Sequence, residues 1–133
     1  MKTILADAVD TLIIESEGGF QVFKEMYELL EGFSNKKIIM TNAAKGEAFQ
    51  KYGLDKAPYE VFTLEHNPEK TNPEYFKKML EYFRLGVEDV VYFEHNEDAV
   101  KSAQSVGIVA YHYDSDRKDL GALKKFLDDS LVV

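Results

Sequence analysis

The sequence predicts a single α/β domain, a parallel five-stranded sheet with helices on both faces. Three observations predict it. Short apolar runs of strand length alternate with amphipathic stretches of helical spacing along the chain. A chain of 133 residues that is 45% hydrophobic, with 9 Phe and 8 Tyr, is sized for one packed core. Several of the apolar runs close on polar residues, as strands do at the ligand-binding rim of an open α/β sheet.

Ile4 to Ala6 reads as the first strand and leads into Asp7. Ile13 to Gly19 reads as a turn or flap hinged at Gly18-Gly19. Residues 20 to 33 place Phe20, Phe23, Tyr27, Leu30 and Phe33 at helical spacing, with Val22, Met26 and Leu29 widening the stripe, so a helix is expected there. Lys37-Ile38-Ile39-Met40 is a buried-type strand closing on Thr41-Asn42, and a short helix over 45 to 52 stops at Gly53. Val61 to Leu64 is the third strand. Asn72-Pro73 supplies an N-cap and a first-turn proline to a helix that buries Phe76, Met79, Leu80 and Phe83. Val90 to Phe93 is the fourth strand, followed by a helix over 97 to 106 ending at Gly107. Ile108 to Tyr113 is the fifth, and Leu120, Leu123, Phe126 and Leu127 mark a last helix.

The net charge of −8 argues against binding nucleic-acid backbones or anionic membrane surfaces. The absence of cysteine excludes disulfides, thiolate zinc sites and a Cys nucleophile. No apolar run reaches membrane-spanning length, and the stretch before Asp7 is too short for a signal segment, so a cytoplasmic protein is expected. The apolar tail Leu131-Val132-Val133 reads as a frayed end or a homodimer contact.

The polar strand ends carry the functional reading. Asp7, then Thr41 and Asn42, then Glu65-His66-Asn67, then Glu94-His95-Asn96 close four strands, and Lys70 lies in a loop on the same rim. Any one of them fits a helix cap. As a set they fit a site, because a carboxylate at the end of a buried strand needs partners. Two His among carboxylates could also hold a transition metal. The third strand is expected near the sheet edge, however, which separates His66 from His95. His112 alternates with Tyr111 and Tyr113 and reads as structural.

Over nearly its whole length the chain resembles the haloacid dehalogenase (HAD)-like hydrolases, which carry four short motifs in order. Asp7, Val9, Thr11 and Leu12 match the first; Thr41, closing Ile38-Ile39-Met40, matches the second. Lys70-Thr71-Asn72-Pro73-Glu74-Tyr75-Phe76 matches the third, and Glu94-His95 with Ala103 and Gly107 match the fourth. The resemblance implies a three-layer Rossmannoid with strand order 3-2-1-4-5. It also implies a phosphatase-like or phosphotransfer enzyme in which Asp7 is the nucleophile. Lys70 would neutralise charge, and Thr41, Asn42 and Lys70 would bind phosphoryl oxygens. Mg²⁺ would be held by Asp7, the backbone carbonyl of Val9 and Glu94, and the partner would be a phosphorylated small molecule or macromolecule.

Three positions depart from the family pattern. Val9 stands where family phosphatases carry an Asp as general acid and base, a function worth about 10²–10⁴ in rate. Asp10 fills a position usually held by a small residue, often Gly. His95 replaces the second acid of the fourth motif. The short segment between Thr11 and Lys37 leaves no room for a cap domain, so a capless member is expected. Two other readings stand beside the enzyme: a catalytically inactive scaffold that binds a protein partner, and a His/carboxylate transition-metal binder.

Overall fold

The computed structural model describes residues 1–132. Along the chain, β1 (Thr3–Asp7) leads into β2 (Ile13–Ser16), β3 (Gly19–Val22) and α1 (Lys24–Glu31). Then come β4 (Lys37–Thr41), α2 (Glu47–Tyr52), β5 (Glu60–Thr63) and α3 (Pro73–Phe83). The chain closes with β6 (Val90–Glu94), α4 (Glu97–Val106), β7 (Val109–His112) and α5 (Leu120–Ser130).

Five strands form one sheet in the order β5-β4-β1-β6-β7, every pair parallel. Counted in chain order without the hairpin β2–β3, that is 3-2-1-4-5, a Rossmann-like arrangement. The strand period of two explains how one sheet serves two cores. Ile4 and Ala6 of β1, Ile39 of β4, and Val91 and Phe93 of β6 face one side with Met26, Leu30, Leu123 and Leu127. Leu5, Ile38, Met40, Val90 and Tyr92 face the other with Tyr75, Phe76, Met79 and Ala103. All five residues of β1, β4 and β6 are buried, which is why these strands read as unbroken apolar runs.

Helix starts follow the predicted caps. The Asn72 side chain accepts from the backbone N–H of Glu74, and that of Asn96 accepts from Asp98 and Ala99. Gly107 ends α4 in the left-handed region at φ 105°.

The helix expected over 20 to 33 begins only at Lys24, and Phe20 to Val22 belong to a two-stranded antiparallel hairpin with β2. The reason is the glycine pair. Gly18 and Gly19 hold φ of 94° and 114°, which turns the chain back and places Phe20 and Val22 on one strand face. The spacing of Phe20, Phe23 and Tyr27 fits a helix, but the alternation of Phe20 and Val22 belongs to a strand. The segment read as a flap is thus the first strand and turn of this hairpin. It packs through Phe20 edge-on against Tyr52 of α2, with ring centroids 4.7 Å apart. Between β1 and β4 there is only this hairpin and α1, in keeping with the capless expectation. Leu131 packs against the core and Val132 is exposed, while Val133 lies outside the described residues. Among the described residues no helix is long and apolar enough to cross a membrane.

Candidate active site at the carboxyl rim of the sheet

The parallel register brings the C-terminal ends of β4, β1 and β6 side by side, so Thr41, Asp7 and Glu94 meet at one rim. Asp7 is 2% exposed and Glu94 fully buried. Two buried carboxylates this close need a cation between them. Lys70, itself 6% exposed, supplies it. Its Nζ lies 2.5 Å from Asp7 Oδ1 and 2.7 Å from Glu94 Oε1. The loop that delivers Lys70 is pinned by Asn42, whose Oδ1 accepts from the Lys70 backbone N–H at 2.8 Å.

The second oxygen of each carboxylate faces a different set of partners. Asp7 Oδ2 accepts from the Thr11 hydroxyl at 2.7 Å and from His95 Nδ1. Glu94 Oε2 accepts from the Asn96 backbone N–H at 3.0 Å and lies 3.2 Å from His95 Nδ1. The Tyr92 hydroxyl, buried beneath the rim, donates to Glu94 Oε1. The other ring nitrogen of His95, Nε2, is 3.8 Å from Asp10 Oδ2. Asp10 has φ 70°, which accounts for a turn position that favours glycine and that an Asp also tolerates.

Electrostatics follow from this packing. Burial alone would raise the Asp7 carboxyl. The Lys70 ammonium, aided by hydrogen bonds with His95 and Glu94, outweighs it and holds Asp7 well below the usual carboxylate range. Burial and the neighbouring Asp7 charge push Glu94 up, against the pull of Lys70. Burial opposes the charged form of Lys70, but Asp7 and Glu94 together hold its proton more firmly than usual. Hydrogen bonds to Asp7 and Glu94 push His95 up to about 10. At neutral pH the rim therefore holds an ionised Asp7 between two cations.

A cavity of about 270 Å³ opens over this cluster, lined by Asp7, Val9, Thr41, Asn42, Lys70 and His95 and walled further out by Ala43, Ala48, Tyr52 and His66. The Thr41 hydroxyl oxygen accepts from the Ala43 N–H at 3.1 Å, which leaves its own proton to donate. The Tyr75 hydroxyl sits behind Thr41, accepting from its N–H and reaching its carbonyl and that of Phe62, so it ties β4 to β5. Val9 bridges to Ile13 at the cavity edge and brings no proton-transfer group to it.

Every residue singled out from the sequence as a candidate site residue, Asp7, Val9, Thr41, Asn42, Lys70 and Glu94, lies at this rim. Asp7, Glu94 and His95 each present a ligand atom, all within 4.8 Å of one another, which fits a small cation with mixed oxygen and nitrogen donors. His66 lines the same cavity but pairs with Glu69 at 2.8 Å and stands outside that ligand group. Sequence reasoning left the roles of Thr11, Tyr92 and Tyr75 undrawn. Thr11 alone carried a signal, as part of the first motif. The two tyrosines sit in apolar runs and read as core.

No protein-family model matches the sequence, and no curated protein is similar to it at the sequence level. Solved structures are similar in fold. D,D-heptose 1.7-bisphosphate phosphatase from B. bronchiseptica, complexed with magnesium and phosphate, superposes with TM-score 0.73 at 11% identity, covering 97% of this chain and 99% of that one. A HAD-superfamily hydrolase from Ehrlichia chaffeensis gives 0.71 at 14% identity, covering 99% and 100%. A HAD family enzyme from Bacteroides thetaiotaomicron, in complex with magnesium and inorganic phosphate, gives 0.60 at 15%, covering 92% and 98%. The chain has a HAD-like fold.

Proposed function

We propose that this protein is a HAD-like hydrolase or phosphotransfer enzyme acting on phosphorylated substrates through Asp7. The observation that carries the reading is the Asp7–Lys70 pair at the floor of an open cavity, with Glu94 buried behind it. An ionised carboxylate, buried and held by a lysine, is aimed where a phosphoryl group can sit.

In this reading an Asp7 oxygen attacks phosphorus as the bond from phosphorus to the leaving-group oxygen breaks. The leaving group departs as its anion, and the aspartyl phosphate is then discharged to water or an acceptor hydroxyl. Lys70 holds the carboxylate in place and offsets negative charge as it builds on the transferring group. Thr41 donates its hydroxyl, and Asn42 its amide N–H, to phosphoryl oxygens. The fold neighbours crystallised with magnesium support Mg²⁺ at the same rim, held by Asp7, Glu94 and the Val9 carbonyl. When bound, it would shield the phosphoryl charge and orient the group for in-line attack. Val9 supplies no proton, so leaving groups that are stable as anions are favoured. Among the described residues no cap covers the cavity, which suits substrates larger than the pocket, macromolecules included.

A second reading, a scaffold that keeps the fold without the chemistry, is favoured by one observation. Both oxygens of Asp7 are already engaged, Oδ1 by Lys70 and Oδ2 by Thr11 and His95. Turnover of an aryl phosphate with Mg²⁺ separates the two. The enzyme reading expects turnover that disappears in Asp7→Asn. Absence of turnover in the wild-type chain, with Mg²⁺ shown to be bound, favours the scaffold.

A further inference from the structure

We infer that His95 converts the metal position at this rim into one that selects a first-row transition-metal dication, such as Co²⁺ or Zn²⁺, over Mg²⁺. The inference rests on the proposed reading only in placing a cation beside Asp7.

Lys70 and the open position do not compete. Lys70 takes Asp7 Oδ1 and Glu94 Oε1. The other two oxygens, Asp7 Oδ2 and Glu94 Oε2, turn to the opposite side, and the group they share there is His95 Nδ1. The separation of 3.2 Å between Glu94 Oε2 and Nδ1 is near the spacing of adjacent ligands on an octahedral ion. Bonds of about 2.1 Å at right angles put such ligands about 3 Å apart. A cation on Asp7 Oδ2 and Glu94 Oε2 therefore meets an imidazole nitrogen in its coordination sphere.

The ring is oriented for that task. Its backbone N–H leans on Asp7 Oδ2 at 3.4 Å, its carbonyl accepts from His112 Nε2 at 2.9 Å, and its own Nε2 faces Asp10 Oδ2 at 3.8 Å. The Asp10 carboxylate stands beyond hydrogen-bond distance of the far nitrogen, near enough to favour a proton there by its charge and leave the near nitrogen as the inward ligand. In the present structure Nδ1 pairs with Asp7 Oδ2, and a metal bound there would displace any proton the two share.

Donor chemistry then decides selectivity. Mg²⁺ is hard, prefers oxygen and keeps its waters. Imidazole nitrogen favours the softer dications in the order that rises from Mn²⁺ towards Cu²⁺. Two carboxylates alone would already hold Zn²⁺ more tightly than Mg²⁺, so the informative quantity is how the ratio changes when the nitrogen is removed.

The test is isothermal titration of Co²⁺, Zn²⁺ and Mg²⁺ into the chelator-treated full chain, wild type and His95→Asp, with melting curves to show that the variant folds. A nitrogen-15 spectrum of the histidine rings on Zn²⁺ addition reads ligation directly. The expected result is a Zn²⁺-to-Mg²⁺ affinity ratio that falls about tenfold or more in His95→Asp, the scale on which even outer-shell partners act. The His95 Nδ1 resonance should also shift on Zn²⁺ binding. An unchanged ratio with an unshifted Nδ1, or no binding of any of the three cations, overturns the inference. If the ratio is unchanged and Mg²⁺-driven turnover persists, the proposed function stands without it. If Zn²⁺ binds through His95 while no aryl phosphate turns over with any metal, the inference stands and the proposed function fails.

Discussion

Lys70 Nζ lies 2.5 Å from Asp7 Oδ1, although 63 residues separate the two along the chain. The contact exists because Asn42, at the end of β4, grips the Lys70 backbone and turns the loop back over the rim. It makes Lys70 a structural element of the rim and, in the proposed reaction, a chemical one. Without it Asp7 and Glu94 face each other buried, with His95 as the cation left between them.

Lys70→Met should therefore cost stability as well as activity. Removing one partner of a buried charge cluster costs about 3–5 kcal/mol. Urea denaturation should show a midpoint shift of that order, and aryl phosphate turnover should fall away. A denaturation midpoint equal to wild type contradicts the burial argument.

Val9→Asp should restore the missing proton-transfer group. Val9 is half-buried at the cavity edge, so an Asp there can reach water. Turnover of alkyl phosphates, whose leaving groups need protonation, should rise about tenfold or more. Aryl phosphates should gain less. The variant's melting curve and Mg²⁺ binding are the controls. A folded, Mg²⁺-binding variant with no gain on alkyl phosphates contradicts the assignment of position 9.

The chelated protein should lose stability as pH rises through the alkaline range. His95 titrates near 6.5 when unfolded and near 10 when folded. A group raised in the folded state contributes fully below the unfolded value and loses its contribution as pH climbs to the folded one. Thermal melts between pH 6 and 10 should fall with pH in the wild type and flatten over that window in His95→Gln. Parallel profiles for the two proteins would show that His95 is not paired as described.

Tyr75→Phe should act on Thr41 from behind. The hydroxyl it removes satisfies the Thr41 N–H and bridges the carbonyls of Thr41 and Phe62, all buried. Leaving such groups unpaired costs about 1–3 kcal/mol. Chemical denaturation measures that loss. Kinetics should show a raised KM for phosphate esters with a smaller change in kcat, as Thr41 loses its fixed position.

The parallel sheet and the rim were readable in the sequence because buried strands are unbroken apolar runs that end on polar residues. Asp7, Thr41, Lys70 and Glu94 come together at the rim because three of them close adjacent parallel strands. The hairpin was misread because Phe20, Phe23 and Tyr27 fit a helical period, and the deciding signal was the Gly18-Gly19 pair. The pairing of His95 with Asp7 was not legible either. It depends on side-chain direction after β6, which strand pattern does not encode. Tyr75 and Tyr92 went unseen because a tyrosine in an apolar run looks like core, and only its hydroxyl partners reveal otherwise.

The central claim is that Asp7 accepts a phosphoryl group at this rim. The most direct measurement is a crystal structure of the full chain soaked with Mg²⁺ and beryllofluoride, a mimic of the phosphoryl group. The account predicts beryllium bonded to an Asp7 oxygen, fluorines facing the Thr41 hydroxyl and Lys70 Nζ, and the cation against Asp7 and Glu94. Asp7 still paired with Lys70 and His95, with beryllofluoride absent from its oxygens at saturating concentration, would contradict it.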